Sequence, residues 1–120
     1  VHAMILVVAP DSAFRLSLRF MLESEGYDVV VPRNLEEVER LRRTAACTIV
    51  DHEVLADMKV PLERLLGGAG PLVLLADTLD EMPQAGHIRT IEKPLLGSAV
   101  VNAVHDLLEQ ARHRDLRGAT

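Results

Sequence analysis

Cysteine is nearly absent from this chain of 120 residues, with Cys47 its single example. One thiol excludes an internal disulfide framework and makes a reducing, cytoplasmic compartment the natural expectation. Cys47 opens an apolar stretch, where a thiol reads as a small buried hydrophobe rather than a nucleophile or ligand. No apolar run approaches the roughly 20 residues of a membrane span, and no signal-peptide pattern occurs. Positive charge is also short. Thirteen Lys and Arg face eighteen Asp and Glu, for a net charge of -5. A nucleic-acid or anionic-membrane surface needs clustered basic residues, so neither is expected as a partner. The one basic stretch, Arg40, Arg42 and Arg43, is interleaved with Glu36, Glu37 and Glu39 and reads as a solvated helix face. There is no internal repeat and no low-complexity segment.

What the chain has is aliphatic sequence at regular intervals. At 48% hydrophobic and 26% charged it has the composition and length of one globular domain. Apolar runs fall at Met4–Val8, Tyr27–Val31, Cys47–Val50, Leu72–Ala76 and Ile88–Ile91. Most are near-continuous and rich in Val, Ile and Leu, as strands buried on both faces should be. Helical patterns separate them. Ser12 starts one whose Phe14, Leu18, Met21 and Leu22 share a face, and Gly26 stops it. Asn34 caps a second, with Glu36 and Glu37 in its first turn and Arg42 and Arg43 in its last. Pro61 to Leu66 predicts a short third helix ended by Gly67-Gly68. Between Asp77 and Gly86, Pro83 leaves room for a turn or two of a fourth. The last helix starts near Ser98 and repeats Val100, Val104, Leu107 and Ala111.

This alternation predicts a flavodoxin-like, doubly wound α/β fold. Five parallel strands in the order 2-1-3-4-5 carry helices on both faces, with the third and fourth helices shortened. The expected domain spans residues 4–112. Residues 1–3 read as additions ahead of Met4, and residues 113–120 as a polar tail or linker.

In such sheets ligands bind outside the carboxyl ends of the strands. The residues there are Ala9, Pro10 and Asp11 after the first strand and Asp51, His52 and Glu53 after the third. Ala76 and Asp77 follow the fourth strand, and Glu92, Lys93 and Pro94 the fifth. An Asp facing a Lys across two strand ends suits phosphoryl acceptance: the carboxylate attacks phosphorus and the ammonium stabilises the added charge. The same pair also reads as a rim ion pair with no chemistry.

The stretches ILVVAPDSAFRLSLRFMLESEGYDVV, TIVDHEV and AGHIRTIEKPL resemble the response-regulator receiver domains of two-component signalling, over Met4 to Leu108. The resemblance implies that Asp51 is the phosphoacceptor position and Lys93 its partner, with a cis bond between Lys93 and Pro94. It also marks departures. Receivers hold Mg²⁺ with two acidic residues after the first strand, and Ala9 and Pro10 stand there. The Ser or Thr expected at the end of strand four aligns with Leu75, which donates no hydrogen bond. The rotating aromatic of strand five aligns with Thr90, and two Phe and one Tyr in the whole chain leave no obvious substitute ring. Asp11 and Glu53 are the residues able to rebuild an acidic pocket, with weak Mg²⁺ held through Asp51, Asp11 and Glu53. Apart from that, no cofactor is expected.

Other polar features carry less. His105, Glu109 and His113 share one face of the last helix and read as solvated rather than as a zinc site. His52, adjacent to Asp51, is directed away from the pocket by strand alternation. Gly67 to Gly70 ends a helix rather than opening one and is not followed by Lys-Ser/Thr, so it is not a phosphate loop.

The resemblance therefore implies a receiver-like, non-enzymatic signalling module that has lost Mg²⁺-dependent phosphorylation. Such a module acts by contact with other proteins, through its last helix and last strand. A second expectation is a working receiver in a phosphorelay, phosphorylated at Asp51 by a histidine kinase. A third is a small flavodoxin-like ligand-binding domain or enzyme. Partners are a kinase or output protein, with a homodimer also open.

Overall fold

The computed structural model describes residues 3–9, 12–57, 70–77, 86–93 and 97–118; side chains at 55–57, 97 and 114–118 are outside the description. Five strands, β1 (Met4–Val8), β2 (Asp28–Val30), β3 (Cys47–Asp51), β4 (Leu72–Ala76) and β5 (Ile88–Glu92), form one sheet. Its order is β2-β1-β3-β4-β5 and every pairing is parallel. This is the doubly wound order expected from the sequence.

Each strand owes its place to side chains that bury on both faces. One face holds Ile5, Val7, Cys47, Ile49, Val73 and Leu75 beneath two helices, α1 (Ser12–Ser24) and the long C-terminal helix (Gly97–Gly118). The other holds Leu6, Val8, Val50, Leu72 and Leu74 beneath α2 (Leu35–Arg42) and α3 (His52–Asp57). Numbered in chain order, the long helix is α4. Leu18 and Leu22 anchor α1, and Val100, Val104 and Leu107 anchor α4, at positions one helical turn apart. Gly26 ends the α1 turn at φ +92°, a conformation open to glycine at no steric cost. Asn34 caps α2 by accepting from the Glu37 N–H at 2.8 Å.

Several expectations need correction. Arg40 and Arg43 are exposed, but Arg42 is buried at 7% exposure, so the basic stretch is not a uniformly solvated face. Arg42 lies one turn beyond the buried Val38, and its aliphatic stem therefore follows the apolar stripe of α2 inward. A helix begins at His52, immediately after β3, where the sequence showed only a strand end. At the C-terminus α4 continues through Gly118, so the stretch from His113 onward expected as a polar tail is largely helical. The helices expected at Pro61–Leu66 and between Asp77 and Pro83, and the Gly67 to Gly70 turn up to its last residue, lie outside the described residues. Among the described residues, no helix is long and apolar enough to cross a membrane.

Candidate functional site

Parallel pairing brings strand ends into register, and register is what assembles the site. Asp51 ends β3 opposite Leu75 of β4, which in turn pairs with Ile91 of β5. Lys93 follows β5 directly, its backbone N–H donating to the Ala76 carbonyl at 2.8 Å. That bond fixes the chain just past the sheet, so the lysine side chain extends back over the strand ends.

The lysine Nζ lies 2.7 Å from Oδ2 of Asp51, whose side chain is 3% exposed. The other carboxylate oxygen accepts the Glu53 backbone N–H at 2.9 Å. Glu53 places its own carboxylate 3.9 Å from Lys93, although that side chain is mostly in water. Burial pulls the Lys93 pKa down. The hydrogen bond and charge of Asp51, then the charges of Glu53 and Asp77, outweigh it and hold the ammonium above its ordinary range. The result is a buried carboxylate gripped by one cation and one amide.

At the end of β1 the last described residue, Ala9, supplies no acid. Ala9 is 6% exposed and packs into the core with Ile5 and Val7. Its carbonyl accepts Nη1 of Arg15, one turn into α1, at 2.6 Å. A guanidinium thus caps the strand end at which the receiver resemblance places metal ligands. Pro10 and Asp11, the second degenerate position and the candidate replacement acid, lie outside the described residues, as does Pro94. Leu75 is fully buried in the core. Ala76, the last β4 residue and the one bonded to Lys93, also lacks a hydroxyl. Thr90 sits half-buried within β5.

The remaining candidates are not drawn in. His52 is half-buried at the start of α3, and His105, Glu109 and His113 are all exposed on α4. Among the described residues no group of His, Cys, Asp and Glu is arranged to hold a metal ion. Cys47 is fully buried, and burial pushes its thiol up to about 12, partly offset by a backbone hydrogen bond at Thr48. Such a thiol is inert at neutral pH. Sequence reasoning named Asp51, Lys93 and Glu53 but missed Arg15. The only available signal was a cation one turn into the helix that follows Ala9-Pro10, where the usual acidic pair is missing.

No protein-family model matches the sequence. The transcriptional regulator protein FixT of Rhizobium meliloti (strain 1021) is 30% identical over 109 residues, covering 90% of this chain and 95% of that protein. A CheY-like response regulator receiver domain protein from Methanospirillum hungatei JF-1 superposes with a TM-score of 0.67 at 16% identity, covering 95% of this chain and 99% of that one. A response regulator receiver protein from Sinorhizobium medicae WSM419 does so with a TM-score of 0.64 at 17% identity, covering 90% and 95%.

Proposed function

Because the chain belongs to the family of the transcriptional regulator protein FixT and has the fold of response-regulator receivers, we propose that it is a signal-transduction module degenerate in Mg²⁺-dependent phosphorylation. It acts by protein–protein contact rather than as an enzyme. The observation that carries this reading is the composition of the strand ends around Asp51. Ala9 offers no side-chain oxygen, and Leu75 and Ala76 offer no hydroxyl.

Mg²⁺ fits this donor set poorly. It takes near-octahedral oxygen ligation at about 2.0–2.1 Å. Asp51 is already committed to Lys93 and the Glu53 amide, and Arg15 occupies the Ala9 carbonyl. A dication brought to Asp51 meets the Lys93 ammonium at 2.7 Å, and among the described residues the second carboxylate there, Glu53, is mostly in water. No step through the metal follows from these residues.

Contact surfaces also support the reading. The face expected from the last helix and strand is polar, with His105, Asp106 and Glu109 of α4 and Arg89 and Glu92 of β5 exposed. Apolar exposure lies instead on α1, where Leu16 is 69% and Phe20 76% exposed, one turn apart. In a chain with three aromatic rings, leaving one this open costs burial the fold could have used. We read it as a partner contact.

A second reading, a receiver phosphorylated at Asp51, draws on the intact Asp51–Lys93 pair. Beryllium fluoride with Mg²⁺, added while amide NMR spectra are recorded, separates the two. Unchanged amides at Asp51, Ala76 and Lys93 are expected. Saturable shifts there, lost in D51N, would establish the second reading in place of the first.

A further inference from the structure

Two helices that cover the sheet are anchored to it very differently. α1 runs for 13 residues and buries Leu18 and Leu22 outright, with Phe14 packed beside them. α2 runs for eight, and Val38 is the one apolar side chain it buries; Leu35 and Leu41 are half-buried. A helix this short does not persist in water on its own propensity, so packing has to hold it.

The second residue that α2 buries is a charge. Arg42 is 7% exposed and is the one buried cation among the described residues. Its Nε and Nη2 are buried with no hydrogen-bond partner. The contrast with Asp51 is instructive, since that buried charge is held at both oxygens. Water would bond both guanidinium nitrogens, and closing α2 onto the sheet removes that water without replacing it. The closed position of α2 therefore sets the burial of Val38 against the desolvation of Arg42.

Topology lets this helix leave without taking the fold with it. α2 follows the three-residue edge strand β2 and packs on β1, on the face that holds Leu6 and Val8. The opposite face joins Ile5, Val7, Ile49 and Val73 to α1 and α4, and none of that cluster comes from α2.

We propose that α2 is a detachable cover, which lifts from β1 as a unit and is biased toward release by the buried guanidinium of Arg42. Lifting delivers Arg42 to water. It uncovers Leu6 and Val8 together with the Leu35, Val38 and Leu41 side of the helix. The domain thereby has a second conformation with an apolar surface of its own, reached without any change at Asp51.

The test is native-state hydrogen exchange of the ¹⁵N-labelled chain in low concentrations of urea, read by NMR. Amides of Val38 to Leu41 are expected to exchange through an opening populated at roughly 0.1–10%. The urea dependence of that exchange should lie well below that of global unfolding, because little surface is exposed. Amides of Val7, Ile49 and Val73 should exchange only with the full urea dependence. Arg42→Met keeps the stem, removes the charge and should slow exchange at Val38 to Leu41 by roughly threefold to tenfold. Arg40→Met, which removes an exposed charge from the same turn, should not slow it. Exchange in α2 with the free energy and urea dependence of β1 and β3 would overturn the proposal in the parent chain alone. So would unchanged or faster exchange in Arg42→Met, or equal slowing by Arg40→Met.

Discussion

Lys93 reaches from the end of β5 across β4 to place its Nζ 2.7 Å from Oδ2 of Asp51, while the Glu53 amide holds the opposite oxygen at 2.9 Å. This carboxylate is only 3% exposed, and both of its oxygens are answered. Lys93→Met removes one answer and should cost about 2 kcal/mol of stability, less than a fully buried pair because Lys93 is part-exposed. Asp51→Asn keeps an acceptor for the Glu53 amide and should cost less, about 1 kcal/mol. In urea unfolding, the double variant should lose less than the sum of the two. Strict additivity would show that the pair is not coupled.

The same pair sets a pH dependence. Burial lowers the Lys93 pKa, but Asp51, Glu53 and Asp77 together raise it beyond the ordinary 10.5. The folded state therefore holds the Lys93 proton more tightly than the unfolded chain does. Its stabilising contribution is complete below pH 10.5 and is lost as pH rises through the folded value. The stability gap between the parent chain and Lys93→Met should be constant from pH 7 to 9 and close at still higher pH. A gap that widens with pH would contradict the sign.

Cys47 titrates in the opposite sense to a reactive thiol. Its pKa rises from 9.0 to about 12 through burial. Above pH 9 the unfolded chain loses this proton while the folded one keeps it, so stability falls with pH by a slope approaching one proton. Replacing it in Cys47→Ala should cost stability at neutral pH through lost packing, with the deficit shrinking above pH 9. Ellman's reagent should label the native thiol only at the rate of unfolding.

Arg42 offers a test of burial without pairing. Its guanidinium sits in a residue 7% exposed, with Nε and Nη2 lacking hydrogen-bond partners, and burial lowers its pKa. Arg42→Met keeps the stem that packs along α2 and removes the desolvated charge. Thermal unfolding should show an unchanged or higher midpoint. Arg42→Ala, which loses the stem too, should unfold earlier.

Much of this protein was legible in one dimension. Runs such as Ile5–Val8 and Leu72–Leu75 are apolar at successive positions, which only strands covered on both faces can use. That pattern, alternating with helical spacing, leaves few topologies other than the parallel doubly wound sheet. Asp51 and Lys93 were legible for the same reason: Asp51 follows an apolar run directly and Lys93 follows one after Glu92, and in a parallel sheet such positions meet at one edge.

The tertiary structure decided what depends on a neighbour. Periodicity marks Phe14, Leu18 and Leu22 as a face, but it does not say that Phe20 and Leu16 stand largely exposed. Nor does it say that Arg42, a charged residue, lies beneath the surface of α2. The Arg15 contact with the Ala9 carbonyl arises from how far helices stand apart above the sheet. Hydrophobic pattern specifies which side of an element turns inward. Separation between elements is set by the volumes of side chains from distant parts of the chain, and those are summed only on folding.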